Sequence, residues 1–150
     1  MAKQLFFWLT LYSVMNMAQA QVIHQERSLY RNILVEDKGD LRCLKFNVKS
    51  TKTQQSCLLN SQPEQLVFNY TKLLMTSLLI VPDPKRILII GLGGGTMSNT
   101  LAKLYPKSQI DNVEIDQAVI KVARDYFGFF ENNNIKTYNQ DGRIYIKRAL

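Results

Sequence analysis

A single histidine, His24, and two cysteines, Cys43 and Cys57, are all the imidazole and thiol groups in the chain. A tetrahedral metal site usually takes four ligands of these kinds, so no metal centre is expected. No lysine lies between Arg86 and Lys103, which removes the phosphate-gripping side chain that a P-loop places after its last glycine. Glycine is missing from position 96, where Thr96 stands. A dinucleotide fingerprint uses a glycine there for close helix packing, so that reading is weakened, although not excluded. The apolar run near the amino terminus is interrupted by Asn16 and Gln19, short of the roughly 20 residues a stable membrane span needs. Acidic side chains are in the minority, 12 against 19 Lys and Arg, for a net charge of +7. The basic residues are scattered and no nucleic-acid motif accompanies them, so they read as a solvated surface and no nucleic-acid partner is expected. The same balance offers nothing to a polycation without a local acidic pocket. No internal repeat is visible, and Asn132-Asn133-Asn134 reads as a loop.

What is present centres on Lys85 to Gly95. Ile87 to Ile90 is an unbroken aliphatic run, the pattern of a strand buried on both faces of a parallel sheet. Gly91, Gly93, Gly94 and Gly95 follow at once. Glycine permits positive φ and lets backbone N–H groups approach a ligand without an intervening Cβ. Thr96 or Ser98 is placed to cap a helix running through Leu101 and Leu104 to a stop before Pro106. Gly91-x-Gly93-x-Gly95 is the spacing of the first motif of AdoMet-dependent methyltransferases and their relatives, which bind a nucleoside without a pyrophosphate. A second strand, Ile110 to Glu114, ends in a carboxylate about 20 residues beyond the glycines, where it can accept both ribose hydroxyls. Asp116 reads as the cap of a helix carrying Val119, Ile120, Ala123, Tyr126 and Phe127 on one side, with Gly128 as its stop. A third strand, Ile135 to Tyr138, leads to Asp141-Gly142, where a carboxylate and the adjacent amide can read an adenine edge. Asp-Gly is equally a common turn.

The first twenty residues form a separate unit. Lys3 is the only charge, Leu5 to Met15 is an apolar core of about 11 residues, and Ala18-Gln19-Ala20 supplies small residues before Gln21. Residues 1–20 are expected to be a cleaved signal peptide, placing the protein outside the cytoplasm, in the periplasm or secreted. Residues 21–60 are expected to form a small antiparallel domain. Its strands are Arg27 to Val35, Leu41 to Val48 with Leu44, Phe46 and Val48 on one face, and Gln54 to Leu59, and Asp37 to Asp40 is a turn. If Cys43 faces Cys57, the last two strands pair around Ser50, where the polar Lys49-Ser50-Thr51 stretch suits a turn. In an exported protein that placement predicts a disulfide, contributing about 3 kcal/mol by closing a loop of about 15 residues. Ser61-Gln62-Pro63-Glu64 reads as a capping box opening a helix in which Leu66, Val67, Tyr70, Leu73, Leu74 and Leu78 form a core stripe, with Pro82 as its end.

Pro84 to Gly91, Val113-Glu114-Ile115-Asp116, Asp141-Gly142-Arg143 and the upstream Ser28-Leu29-Tyr30-Arg31-Asn32-Ile33 together resemble the aminopropyltransferases, spermidine synthase and its relatives. The resemblance runs over about residues 26 to 150. It implies an α/β fold in which an amino-terminal antiparallel β-hairpin domain precedes a partial Rossmann-like, AdoMet methyltransferase-like parallel sheet over residues 61–150. It implies transfer of an aminopropyl group from decarboxylated AdoMet to a polyamine by in-line attack of a neutral amine on the carbon beside a sulfonium. Gly91, Gly93 and Gly95 would then line the nucleoside, Glu114 would hold the ribose, and Asp141 with Gly142 would contact adenine. No residue is assigned as catalytic. Expected partners are the nucleoside and a polyamine, with a homodimer as a candidate assembly. AdoMet-dependent methyl transfer and non-catalytic binding of a nucleoside by an exported protein stand as alternatives.

Three positions depart from the resemblance. Gly94 stands where the family carries an Asp that holds the donor's amino group. Arg31 follows Tyr30 in place of a glutamine, and Thr71-Lys72 follows Tyr70 in place of a polar pair. Each change removes a group suited to a cation. The family's proposed catalytic Asp lies beyond a fourth strand, whereas this sequence stops at Leu150, so it is expected to be part of a longer protein.

Overall fold

The structure is a computed structural model that describes residues 19–46 and 54–149. The expected leader and the Lys49-Ser50-Thr51 turn lie outside the described residues, apart from Gln19 and Ala20 of the leader. An antiparallel sheet is built from β1 (Gln21–Arg27), β2 (Asn32–Lys38), β3 (Leu41–Phe46) and β4 (Gln54–Leu59), in that spatial order. A parallel sheet follows with order β5 (Arg86–Ile90), β6 (Gln109–Glu114) and β7 (Ile135–Asn139). Its helices are α2 (Thr96–Leu104), α3 (Gln117–Phe127) and α4 (Gly142–Ala149), and α1 (Asn69–Leu74) falls between β4 and β5 in the chain.

The antiparallel sheet differs from the sequence reading at its first corner. Arg27 to Val35 is not one strand. It breaks at Ser28, whose hydroxyl accepts the Tyr30 and Arg31 N–H groups at 3.1 and 3.0 Å, while the Ser28 N–H donates to the Arg31 carbonyl at 2.9 Å. A serine can close such a turn with its own side chain, without the glycine or proline that usually marks one. The chain before the turn becomes β1, paired antiparallel to β2. On β2 and β3, Ile33, Val35 and Leu44 face one core, with Phe46 packed against it. Cys43 pairs with Cys57 in the β3–β4 register and the two form a disulfide. A register shift between Leu44 and Lys45 follows it.

The helix expected from Ser61 begins eight residues later, at Asn69. The Ser61 hydroxyl and N–H bond instead to the Asp40 carboxylate, at 2.5 and 2.8 Å. With its serine committed to the β2–β3 turn, the capping box does not form. The stripe on α1 is not core either. Tyr70, Leu73 and Leu74 are exposed and no residue of α1 is buried, although Leu78 in the following 3₁₀ turn (Met75–Leu79) packs on the second core.

β5 corrects a further expectation. Its burial alternates, with Ile87 and Ile89 against the second core and Leu88 and Ile90 exposed, because a core packs on one face of β5 and the described residues leave most of the other face open. The second strand, α3 and the third strand fall within a residue of their sequence-predicted bounds, and α2 starts at Thr96, ahead of the start that a cap at Thr96 or Ser98 predicts. Asp116 caps α3, its side chain accepting the Ala118 N–H at 3.0 Å, and Gly128 ends the helix at φ 64°. α3 carries apolar side chains to two cores at once. Val119, Val122 and Phe127 join the antiparallel sheet, and Ile120 and Ala123 join the parallel one. Each large side chain so buried contributes about 1.5–3 kcal/mol, so α3 is the principal bond between the two sheets.

Replacing both Cys43 and Cys57 by Ser should lower stability by about 3 kcal/mol, since their separation of 14 residues closes one loop of the unfolded chain. Urea unfolding of the oxidised wild type and the double variant measures it, and equal midpoints would remove the disulfide from the stabilising set.

Candidate functional site

A cleft of about 540 Å³ opens where the carboxyl ends of β5, β6 and β7 face the antiparallel sheet and α1. That is where parallel α/β sheets present ligand-binding loops, and the volume suits a small organic ligand. Of the residues singled out in the sequence, Gly91, Gly93, Glu114, Asp141 and Gly142 line it together. Gly95 does not.

The glycine loop owes its shape to two demands. Gly91, Gly93 and Gly95 have φ values of 86°, 56° and 75°, a region that side chains disfavour. Beneath the loop there is no room. A Cβ on Gly95 would lie 2.6 Å from Phe129 Cδ2, and one on Gly94 would lie 2.7 Å from Phe127 Cδ1 and 2.9 Å from Ser56 Oγ. Gly95 therefore serves helix packing, and it forms the N-cap of α2 in place of the expected Thr96 or Ser98. Thr96 lines the cleft from the first turn of α2, its hydroxyl buried without a hydrogen-bond partner. The absence of an acidic side chain at position 94 is fixed by Phe127 and Ser56.

Glu114 ends β6 almost fully buried, 9% exposed. Its Oε2 accepts the Leu92 N–H at 2.9 Å and its Oε1 accepts the Asp116 N–H at 3.0 Å. One carboxylate thus holds the glycine loop and the turn into α3, and each oxygen keeps a second lone pair. Asn139 steadies the same turn by donating to the Glu114 and Ile115 carbonyls, both at 2.9 Å. The next acid, Asp116, accepts the Ser28 hydroxyl at 2.5 Å and so ties the antiparallel sheet to the floor of the cleft.

Asp141 stands at the start of α4, where its Oδ1 accepts the Arg143 N–H at 2.8 Å and its Oδ2 pairs with Arg143 Nη2 at 2.6 Å. The Arg143 guanidinium, with the backbone N–H bond, holds its pKa down at about 2. Gly142 lines the cleft but is also required for packing, because a Cβ there would lie 2.7 Å from Ile90 Cγ2.

The opposite wall carries Leu66, Val67 and Phe68 in an irregular segment, with Tyr70, Thr71 and Leu74 following on α1. The helical spacing of Leu66, Val67, Tyr70 and Leu74 pointed to a buried stripe, whereas the family resemblance marked Tyr70 and Thr71 as site positions. Tyr70 donates weakly to the Gln55 carbonyl at 3.3 Å, and partial burial pushes its phenol pKa up. Gln55, Phe46 and Arg31 complete this wall, whereas Lys72 is exposed outside it. Among the described residues no group of acidic, histidine and cysteine side chains is arranged for a metal ion, and no helix is long and apolar enough to cross a membrane.

Comparison with known proteins gives a consistent answer. A family model described as the spermine/spermidine synthase domain matches residues 67–150. A polyamine aminopropyltransferase of Vibrio vulnificus is 43% identical over 141 residues, covering 93% of this chain and 47% of the relative. A probable spermidine synthase from Corynebacterium glutamicum superposes with a TM-score of 0.67 at 24% identity, over 81% of this chain and 46% of that one. Human methyltransferase-like protein 13, solved in complex with SAH, gives a TM-score of 0.50 at 33% identity, over 54% of this chain and 40% of that one. The chain spans about half the length of these relatives.

Glu114→Gln should destabilise the ligand-free protein by about 1–3 kcal/mol, because the amide has one acceptor for two buried N–H groups. Chemical denaturation without ligand checks this, and an unchanged midpoint would refute the structural role. For Asp141, whose pKa is depressed, the stabilising contribution is complete above the ordinary 3.8 and is lost as pH falls through about 2. A carbon NMR titration should find its midpoint near 2 in the wild type and displaced toward 3.8 in Arg143→Ala. Coincident midpoints would dissolve the pair.

Proposed function

Because the chain belongs to the spermine/spermidine synthase family, we propose that its cleft binds an AdoMet-type nucleoside and that the whole protein transfers an aminopropyl group from decarboxylated AdoMet to an amine, a polyamine in the reading the family favours. The observation that carries the proposal is the convergence of Gly91, Gly93, Glu114 and Asp141 on one cleft at the carboxyl ends of three adjacent parallel strands. Gly91 and Gly93 give the nucleoside a close approach to the backbone. The free lone pairs of Glu114 accept the ribose hydroxyls, and Asp141 with the Gly142 amide meets the adenine edge. The SAH held by the human methyltransferase-like protein supports a ligand of this class.

In the transfer, the lone pair of a neutral amine forms a bond to the carbon beside the sulfonium. The carbon–sulfur bond breaks, its electron pair stays on sulfur as a neutral thioether, and the new ammonium gives up a proton. Such a step needs alignment of donor and acceptor above all. The proton passes to solvent, and neither carboxylate lining the cleft is assigned it: Glu114 holds two backbone amides and Asp141 is paired with Arg143. The disulfide supports residence in an oxidising compartment, in keeping with residues 1–20 acting as an export signal.

A second reading, methyl transfer from AdoMet, is supported by the likeness to the human methyltransferase-like protein, 33% identical over 54% of this chain and solved with SAH.

Mass analysis of products from the natural full-length protein separates the readings. With decarboxylated AdoMet and putrescine, the expected outcome is an acceptor heavier by one aminopropyl group, together with methylthioadenosine. A methylated product formed only from AdoMet would replace the first reading with the second. Binding of methylthioadenosine without turnover of either donor would leave a nucleoside-binding protein.

A further inference from the structure

The turn from β7 into α4 holds a polar side chain that the fold does not employ. Gln140 lines the cleft. Its N–H donates to the Tyr138 carbonyl at 3.1 Å, which fixes the backbone, but among the described residues its carboxamide meets no partner, and it is open to solvent. Its neighbour Asp141 is in the opposite condition. Asp141 Oδ1 accepts the Arg143 N–H at 2.8 Å and Nε at 3.1 Å, and Oδ2 accepts Nη2 at 2.6 Å. One lone pair on Oδ2 is all that this carboxylate keeps for a ligand.

The place of Gln140 is set by the sheet. In the β6–β7 register Glu114 lies opposite Asn139, so the residues that follow, Ile115 and Gln140, leave the two strands side by side. The Asn139 amide fastens these strand ends together by donating to both the Glu114 and the Ile115 carbonyls at 2.9 Å. Ile115 is exposed and lines the same cleft. A carboxylate, an apolar side chain and an uncommitted carboxamide thus stand next to one another, in the order in which a nucleoside presents its ribose, the face of its base and the edge of its base.

A carboxamide holds an acceptor and a donor side by side. Adenine offers the complement, since its 6-amino group carries two hydrogens and the neighbouring N7 is an acceptor. The lone pair left on Asp141 and the Gly142 amide serve the N1 side of that amino group, which leaves the second amino hydrogen and N7 unread. We infer that Gln140 reads them, its Oε1 accepting the second amino hydrogen and its Nε2 donating to N7. The inference rests on the nucleoside reading above and deepens it, giving the same site a residue that selects the base.

Calorimetry on the natural full-length protein, with its disulfide intact, compares methylthioadenosine with its 7-deaza analogue, in which a C–H group replaces N7 and the 6-amino group is kept. The wild type is expected to bind methylthioadenosine about 3- to 10-fold more tightly, the range of one neutral hydrogen bond. Gln140→Met, similar in length and without hydrogen-bonding groups, should bind the two ligands alike. Gln140→Glu keeps the acceptor and sets a second acceptor against N7, so it should prefer the 7-deaza analogue. Equal affinity of the wild type for both ligands overturns the inference and leaves the nucleoside reading standing. A preference for methylthioadenosine that survives in Gln140→Met overturns it as well, since another group would then read N7. Failure of the wild type to bind methylthioadenosine overturns the nucleoside reading, and the inference with it.

Discussion

The carboxylate of Glu114 is the constraint on which the cleft depends. It is buried at the end of β6 and meets two backbone N–H groups that have no strand or helix to satisfy them, those of Leu92 in the glycine loop and Asp116 at the entry to α3. A buried amide left without an acceptor is costly, so the loop and the helix start are locked to one another through a single side chain. Asp116 then continues the chain of contacts outward, capping α3 and accepting from Ser28 in the turn between β1 and β2. Two successive acids thus connect the floor of the cleft to its far wall.

Packing reinforces that connection. α3 inserts between the sheets and gives side chains to both cores, and Phe127 at its end lies under Gly94 with Ser56 of β4 beside it. The loop that would touch a nucleoside is consequently pressed against both the helix and the antiparallel sheet. Its chemistry at position 94 follows from volume, since any side chain there would have to displace an aromatic ring. The loop keeps an open backbone surface at Gly91 and has no room for a side chain at position 94.

The electrostatics of the cleft follow the same division. The wall formed by β5 to β7 presents glycines and two carboxylates whose charges are engaged, and the wall formed by the antiparallel sheet and α1 presents aromatic surface, Gln55 and the Arg31 guanidinium stacked on Phe46. Membership of the spermine/spermidine synthase family accounts for the first wall.

The parallel sheet was legible in the sequence because its signals are local. An aliphatic run, glycines requiring positive φ, an acid closing a strand and an Asp and a Gly bounding an amphipathic helix each act within a few residues of where they are written, and β6, α2, α3 and β7 appear where those signals put them. The pairing of Cys43 with Cys57 was legible for a related reason, since alternation fixes the face that each cysteine takes. What the sequence could not supply was the identity of each group's partner. Ser61 wrote a helix cap but found Asp40, Ser28 closed a turn inside an apparent strand, and the stripe of α1 became the wall of a cleft. Gly95 and Gly142 matched a binding motif, yet the space at each is set by Phe129 and Ile90. Local propensity and periodicity were determined by the sequence alone. Which polar group met which, and which apolar face was left open, were decided only by tertiary contacts, because hydrogen bonds and packing volume are satisfied by whatever lies nearest in space.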